Sequence, residues 1–167
     1  MKINNLGRGL VLHQELNRQS SQGGKLLVDR TPYENKGTIN GATFITDRKG
    51  QFNQAMKFDG VNNYINCGKD SSLDFGTGAF SVSVWVKTID TSATYPRVLA
   101  KAVSSSSSDI LGFAIWKNSD TGKFAFVVGG GNGEGKIVLT KANLFDGNWH
   151  NIVGTYNGDG TLKIYSD

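Results

Sequence analysis

The stretch GNWHNIVGTYNGDGTLKIYSD, residues 147–167, alternates its side chains between two faces, as an extended β-strand does. The turn residues Asn157-Gly158-Asp159-Gly160 divide it, because residues of these types supply the positive φ angles that a tight turn requires. The stretch therefore predicts a β-hairpin in a sheet with one solvent-exposed face. One face carries His150, Ile152, Gly154, Tyr156, Leu162 and Ile164, and the other carries Trp149, Asn151, Val153, Thr155, Thr161, Lys163 and Tyr165.

Other segments show the same alternation. In residues 79–87 the residues Phe80, Val82, Val84 and Val86 form an apolar face, and Ser81, Ser83, Trp85 and Lys87 form the opposite one. No segment keeps a helical period over 11 residues, so the chain reads as eight to ten short strands separated by glycine-rich loops. This pattern predicts an all-β sandwich or barrel. The remaining strands are predicted at residues 8–16, 55–58, 64–67, 97–102, 110–116, 123–128 and 136–140.

Length and charge restrict the class of protein. A chain of 167 residues predicts a single domain, here residues 1–167. The net charge is +4, but lysine and arginine are scattered along the chain, so we expect no nucleic-acid partner. Cys67 is the single cysteine, which excludes an intrachain disulfide. The first 13 residues lack the apolar run of a signal peptide, and no segment reaches the roughly 18 apolar residues of a membrane span.

The sequence does not indicate a catalytic centre. Polysaccharide hydrolysis generally uses two facing carboxylates, and none of the 14 acidic residues has an acidic neighbour two positions away. His13 and His150 have no metal-type partner nearby, and we expect His150 to be a hydrogen-bonded packing residue. We therefore predict that the protein is not an enzyme. Carboxylates distant in sequence can still meet in space, which keeps part of a glycoside hydrolase as the weaker alternative.

Tryptophan and asparagine side chains supply candidate ligand-binding residues. An exposed indole beside amides is a platform for a sugar ring, whose C–H face stacks on it. Trp116 and Trp149 are the candidate platforms, and Asn62 and Asn63 in the segment FDGVNN offer amides. For Trp85, Trp116 and Trp149 alike, packing in the core is the more common role.

An oxygen-rich segment at residues 29–37 is a candidate metal site. Calcium takes carboxylate, amide and backbone oxygens from loop positions, and Asp29, Glu34 and Asn35 could supply some of them. The alternative is a turn that these side chains stabilise by hydrogen bonds to the backbone.

Taken together, four blocks of sequence resemble the laminin-G-like, concanavalin A-like domains of the pentraxin-related type. They are GLVLHQEL, DRTPYENKGTI, AMKFDGVNNYINCG with SSLDFGTGAFSVSVWVK, and the closing stretch quoted above. The resemblance implies a two-sheet antiparallel jelly-roll β-sandwich whose usual work is non-catalytic binding of glycans, surfaces or proteins. Several members of the family hold a calcium ion near the corresponding loop, and the resemblance carries this site over to Asp29 and Asn35. The E-x-D-x-x-E strand of catalytic relatives is absent.

The family pattern continues with further strands beyond the position of Asp167. On that basis we expect a domain lacking its last strands, with an open sheet edge at which oligomers could form. The predicted function is a non-catalytic carbohydrate- or surface-binding module of a larger extracellular, cell-surface or virion protein. The rival prediction is a structural or adhesive module of a phage or cell-surface protein that contacts protein.

Overall fold

The computed structural model describes residues 9–19, 21–89, 96–102, 110–118, 120–131, 133 and 135–167. The protein is all-β: these residues form thirteen strands, every pairing between them is antiparallel, and one 3-10 turn spans Ser71–Leu73. No helix in the described part of the chain is long and apolar enough to cross a membrane. The chain divides into two compact units, Met1–Asp74 and Phe75–Asp167, which are described separately below.

The described residues of the first unit form six short strands. Four form one sheet in the order β1-β2-β3-β6, and β4 pairs with β5. Their bounds are β1 Ser21–Gln22, β2 Leu26–Leu27, β3 Gly37–Asn40, β4 Thr43–Ile45, β5 Ala55–Lys57 and β6 Tyr64–Asn66. The strands predicted at 55–58 and 64–67 are confirmed. The sequence pattern missed β1 to β4, because strands of two to four residues are too short to show a period of two.

The strand predicted at residues 8–16 is wrong for the described residues. Residue 8 lies outside them, and residues 9–16 are irregular apart from one bridge between Gln14 and Asp29. Side chains replace the expected strand partner. The Val11 carbonyl oxygen accepts hydrogen bonds from Thr31 Oγ1 at 3.3 Å and Asn35 Nδ2 at 2.9 Å. The segment is therefore held mainly by turn side chains instead of a regular β-ladder.

In the second unit, the part of the chain that the structure describes forms seven strands in two sheets, with the orders β11-β10-β9-β8 and β13-β12-β7. The strands predicted in this part of the chain are confirmed, including the two hairpins. Their bounds are β7 Phe80–Lys87, β8 Arg97–Ala102, β9 Leu111–Asn118, β10 Lys123–Gly130, β11 Lys136–Leu139, β12 Trp149–Tyr156 and β13 Leu162–Ser166.

A core lies between these two sheets, which makes the second unit a β-sandwich. Ile115, Phe124 and Phe126 contribute to it from β9 and β10, and Ile152 contributes from β12. All four side chains are at least 99% buried. The predicted inward face of the second sheet is confirmed, since its apolar members pack on this cluster: Phe80, Val82, Val84, Val86, Tyr156, Leu162 and Ile164.

Strands β9 and β10 are buried on both faces. Ile115 and Phe126 point into the core just described, whereas Ala114, Trp116 and Ala125 belong to a second buried cluster. A strand buried on both sides must be apolar at consecutive positions, which explains the unbroken apolar run at residues 110–116.

The turn between β12 and β13 forms where the sequence predicts it. Gly158 and Gly160 have φ angles of 87° and 99°, which favour glycine. The Asn157 side-chain oxygen accepts hydrogen bonds from the Asp159 and Thr161 amides at 3.2 and 3.0 Å. The turn fixes the register in which Tyr156 faces Leu162, and with it the faces of both strands.

Candidate functional site

The solvent-exposed face of the sheet β13-β12-β7 carries the candidate site. Since one face of this sheet lines the core, we expect the opposite face to be polar. Serine, threonine, lysine and asparagine occupy much of it, but three aromatic residues and one valine stand among them. In order along β7, β12 and β13 the outward residues are Ser81, Ser83, Trp85 and Lys87, then Trp149, Asn151, Val153 and Thr155, then Lys163 and Tyr165.

The three aromatic side chains on this face are accessible to different degrees. Trp85 is 42% exposed and Tyr165 is 52% exposed, whereas Trp149 is partly buried. Trp85 pairs with Asn151 in the register, and Trp149 is the next outward residue on the same strand as Asn151. The two indoles are therefore diagonal neighbours on adjacent strands, with Cα atoms about 7–8 Å apart.

Tyr165 lies across the middle strand from Trp85. It pairs with Val153, which is two residues beyond the partner of Trp85. Two strand spacings across the sheet and two residues along it place the Cα atoms of Trp85 and Tyr165 about 12 Å apart. The aromatic groups thus form a row that crosses all three strands.

Asn151 supplies an amide in the middle of this row. Its Nδ2 atom donates to Ser83 Oγ at 3.2 Å and to the Val84 carbonyl oxygen at 3.4 Å. Its backbone amide donates to the Asp167 carboxylate at 3.1 Å. The two side-chain bonds hold the Asn151 carboxamide against β7, beside Trp85, where it contributes a polar group to a face with exposed rings.

Trp116, one of the predicted ligand-binding residues, requires a correction. It is 7% exposed and belongs to the second buried cluster, with Ala114, Ala125 and Val127. The indole packs in the interior because its strand is buried on both faces. Its buried Nε1–H group has no hydrogen-bond partner in the part of the chain that the structure describes. Trp116 therefore presents no exposed face for a sugar ring.

Of the other predicted ligand-binding residues, Trp149 lies on the outward face of β12 and is partly buried, and Asn62 and Asn63 lie in a surface turn of the first unit. Asp59 organises that turn: its Oδ1 atom accepts the amides of Val61, Asn62 and Asn63 at 2.9, 3.1 and 3.1 Å. The Asn63 side-chain oxygen accepts a hydrogen bond from the Asp59 amide at 3.1 Å. Asn62 is exposed, whereas the Asn63 side chain is largely used within the turn.

Asp29 and Asn35, the predicted metal ligands, are brought together and buried, with 6% and 4% of each residue exposed. Four donors surround the Asp29 carboxylate: the amides of His13, Thr31 and Asn35 at 2.9–3.0 Å, and Thr31 Oγ1 at 2.6 Å. Burial acts to raise the pKa of Asp29, but the hydrogen bonds from Thr31, His13 and Asn35 outweigh it and hold the pKa below its usual value. The carboxylate is the centre of a folded turn.

These residues do not fit a calcium centre. A carboxylate has about four lone-pair positions, and donors from the protein already occupy four on Asp29. Calcium takes six to eight oxygen ligands. The Asn35 amide nitrogen donates to Val11 and to Ser72 Oγ, each at 2.9 Å, which fixes that side chain in the turn as well. Within the described residues, no group of three or more His, Cys, Asp or Glu side chains could hold a metal ion.

His150 is held between two carboxylates, in agreement with its prediction as a hydrogen-bonded residue. Its Nε2 atom is 3.1 Å from Asp146 Oδ1, and its Nδ1 atom is 3.2 Å from Asp167 Oδ1. Hydrogen bonds from the Asn148 amide, the Asn148 side chain and His150 lower the pKa of Asp146 to about 2. The arrangement ties the loop before β12 to the residue after β13, next to the candidate face.

Two residues of the candidate face, Trp85 and Tyr165, are not among the ligand-binding residues predicted from the sequence. The signal was present in the alternation itself. Trp85 shares its face with Ser81, Ser83 and Lys87, and Tyr165 shares its face with Lys163. An aromatic residue that shares a strand face with polar residues is exposed. Trp116 instead lies in a strand whose two faces are both apolar.

A laminin G family model, described as the concanavalin A-like lectin/glucanases superfamily, matches residues 59–167. This range is more than half of the chain and contains every residue of the candidate face. The chain therefore belongs to this superfamily, as the resemblance of its sequence blocks implied. The blocks GLVLHQEL and DRTPYENKGTI lie before the matched range. No curated protein and no solved structure matches the chain.

Proposed function

We propose that this protein is a non-catalytic carbohydrate-binding module that binds a polysaccharide chain on the outward face of the sheet β13-β12-β7. The observation that carries the proposal is the row of Trp85, Trp149 and Tyr165 on a face whose other side lines the core. The superfamily includes lectins, and membership in it supports the same conclusion.

The physical basis is stacking of sugar C–H groups on aromatic rings. Tryptophan and tyrosine offer a large apolar surface together with a polar group that stays hydrated, which suits a ligand that is apolar on its ring faces and polar on its edges. Asn151 and Ser83 stand beside Trp85, where they can exchange hydrogen bonds with sugar hydroxyls. The separation of about 12 Å between Trp85 and Tyr165 favours a chain of several sugars over a single one.

The face offers no pair of carboxylates for hydrolysis. No outward-facing residue of β7, β12 or β13 is aspartate or glutamate. Asp167, which follows β13, accepts hydrogen bonds from His150 and from the Asn151 amide. Glycoside cleavage needs an acid and a second carboxylate on opposite sides of the bond, so we propose binding without turnover.

The test is affinity electrophoresis against a panel of soluble polysaccharides, followed by titration calorimetry on those that retard the protein. We expect Trp85→Ala and Tyr165→Ala each to weaken binding about tenfold or more, since aromatic anchors dominate such interfaces. Tyr33→Ala is the matched control, because Tyr33 is also 52% exposed but lies in the first unit.

If both Trp85→Ala and Tyr165→Ala kept the native affinity, the binding site would lie on another surface of the protein. Absence of binding to every polysaccharide by the folded protein would favour the rival prediction of an adhesive module that contacts protein. Release of reducing sugar, lost on substitution of one aspartate or glutamate, would contradict the non-catalytic assignment.

A further inference from the structure

The candidate face carries positive charge at both ends of its aromatic row. From this we infer that the ligand is an acidic polysaccharide with carboxylate groups, a polyuronate; the inference rests on the proposed function and specifies its ligand. Lys87 lies opposite Trp149 and two residues beyond Trp85. Lys163 lies opposite Thr155 and two residues before Tyr165.

The two lysines flank the row at a distance that suits a chain. They are separated by two strand spacings across the sheet and six residues along it, which corresponds to about 22 Å between their Cα atoms. Both are exposed. Neither ammonium group forms an ion pair with another described residue, so both charges are available to a ligand.

Asp167, just beyond β13 and in phase with Lys163 and Tyr165, places one carboxylate beside the face, and its side chain is 46% exposed. The two lysines still outnumber it. The outward residues of the three strands include two lysines and no aspartate or glutamate. Asp167, at the end of β13, has its Oδ1 atom bonded to His150 and to the Asn151 amide. A ligand with carboxylates spaced along its length would place anions near both lysines while its rings contact Trp85 and Tyr165, and complementary charge of this kind sets specificity.

The aromatic row favours a uronate over a sulfated polymer. A uronate carboxylate projects from the edge of the ring and leaves the C–H face free to stack on an indole. Sulfate groups on ring hydroxyls add bulk and hydration next to that face, which opposes stacking on Trp85 and Tyr165. Nucleic acid is disfavoured because two lysines neutralise few phosphates, and affinity for a nucleic-acid backbone grows with the number neutralised.

The experiment compares polygalacturonate with its fully methyl-esterified form, which has the same backbone without the charge. At low salt we expect the native protein to bind polygalacturonate about tenfold more tightly than the ester, and we expect high salt to reduce this preference. Lys87→Gln combined with Lys163→Gln should abolish the preference, so that the affinity for polygalacturonate falls to that for the ester.

The matched control is Lys49→Gln combined with Lys69→Gln, which removes the same charge from exposed residues of the first unit. This variant should keep the preference. Equal affinity for the acid and the ester would overturn the inference and leave the proposed function intact. Dextran sulfate or DNA binding as tightly as polygalacturonate would also overturn it, since the face would then be a general polyanion surface. Failure to bind any polysaccharide would overturn both proposals.

Discussion

Gly154 on β12 lies directly against the ring of Phe126 on β10, across the core of the sandwich. A Cβ atom placed on Gly154 would stand 2.7 Å from two carbon atoms of that ring. Gly154 is buried, and Phe126 is completely buried. The absence of a side chain at Gly154 therefore lets the Phe126 ring fit between the two sheets, and the pair sets how closely the sheets approach at this point.

Replacement of Gly154 by alanine should destabilise the protein. The added methyl group overlaps the Phe126 ring, and overpacking of this kind costs about 1–3 kcal/mol in free energy of unfolding. Urea denaturation followed by tryptophan fluorescence measures the change. Gly130→Ala is the control: a Cβ atom there meets nothing within 4 Å, so its stability should be equal or slightly higher. Equal stability of Gly154→Ala and Gly130→Ala would contradict this account of the core.

Replacement of Asp29 by alanine should cost about 2 kcal/mol or more, because it leaves four donors of a buried turn without their acceptor. The pKa of Asp29 is lowered in the folded state, so its contribution to stability is present above the unfolded value of about 3.9 and is lost as the pH falls through the folded value. Melting temperatures of the native protein and of Asp29→Ala should therefore converge in acid.

The control for this experiment is Asp47→Ala, whose carboxylate accepts the amides of Lys49 and Gln51 in an exposed turn. Its loss should be smaller, since water replaces the missing acceptor. An equal loss in the two variants would mean that burial of the Asp29 turn contributes nothing.

Calcium should change the melting temperature very little. A ligand stabilises a protein by RT ln(1 + [L]/Kd), and a site with the filled lone pairs of Asp29 gives a Kd too high for a measurable shift at millimolar calcium. Melting curves with added calcium and with a chelator should overlay. A clear upward shift that disappears in Asp29→Ala would restore Asp29 as a ligand; a shift that persists in that variant would locate the ligands elsewhere.

Asp146 should titrate with a midpoint of about 2 in the folded protein, as measured by NMR of its side-chain carboxyl carbon. Asn148→Ala removes the side-chain donor to Asp146 Oδ2, at 2.9 Å, and should raise the midpoint toward the ordinary value. Because the folded pKa is lowered, the linked stabilisation is present above about pH 4 and is lost as the pH falls toward 2. An unchanged midpoint in Asn148→Ala would remove this explanation.

The alternation of residues was sufficient to predict the sandwich of the second unit, because each of its long strands repeats the pattern over several residue pairs. The same evidence was insufficient near residues 17–41, where strands are short and the polar side chains of Asp29, Thr31 and Asn35 bond to the backbone. The order in which β7, β12 and β13 associate is a long-range property. Sequence alone could therefore not show that Trp85, Trp149 and Tyr165 share one face.

The candidate site residues show the same contrast between local sequence pattern and long-range structure. The alternation of its strand predicted only that Trp149 lies on the face opposite Ile152. Trp116 lies in a strand that is apolar on both faces, so its sequence context gave no information about exposure. Asp29 and Asn35 were predicted as metal ligands from one loop, and the structure brings the two residues into contact there. The hydrogen-bond partners of Asp29 and Asn35 include Val11, His13 and Ser72. A local motif does not show these partners, because they are distant in sequence.

Burial of β9 and β10 on both faces has a consequence for how the second unit opens. Amide protons exchange with solvent when a strand separates from its neighbours, and these two strands are central in their sheet and lose the most packing on separation. The amides of Ile115 and Phe126 should therefore be among the slowest to exchange deuterium, and those on the outer edges of β11 and β13 among the fastest. Such a gradient would let the edge strands open locally around a ligand while the centre of the sandwich stays folded.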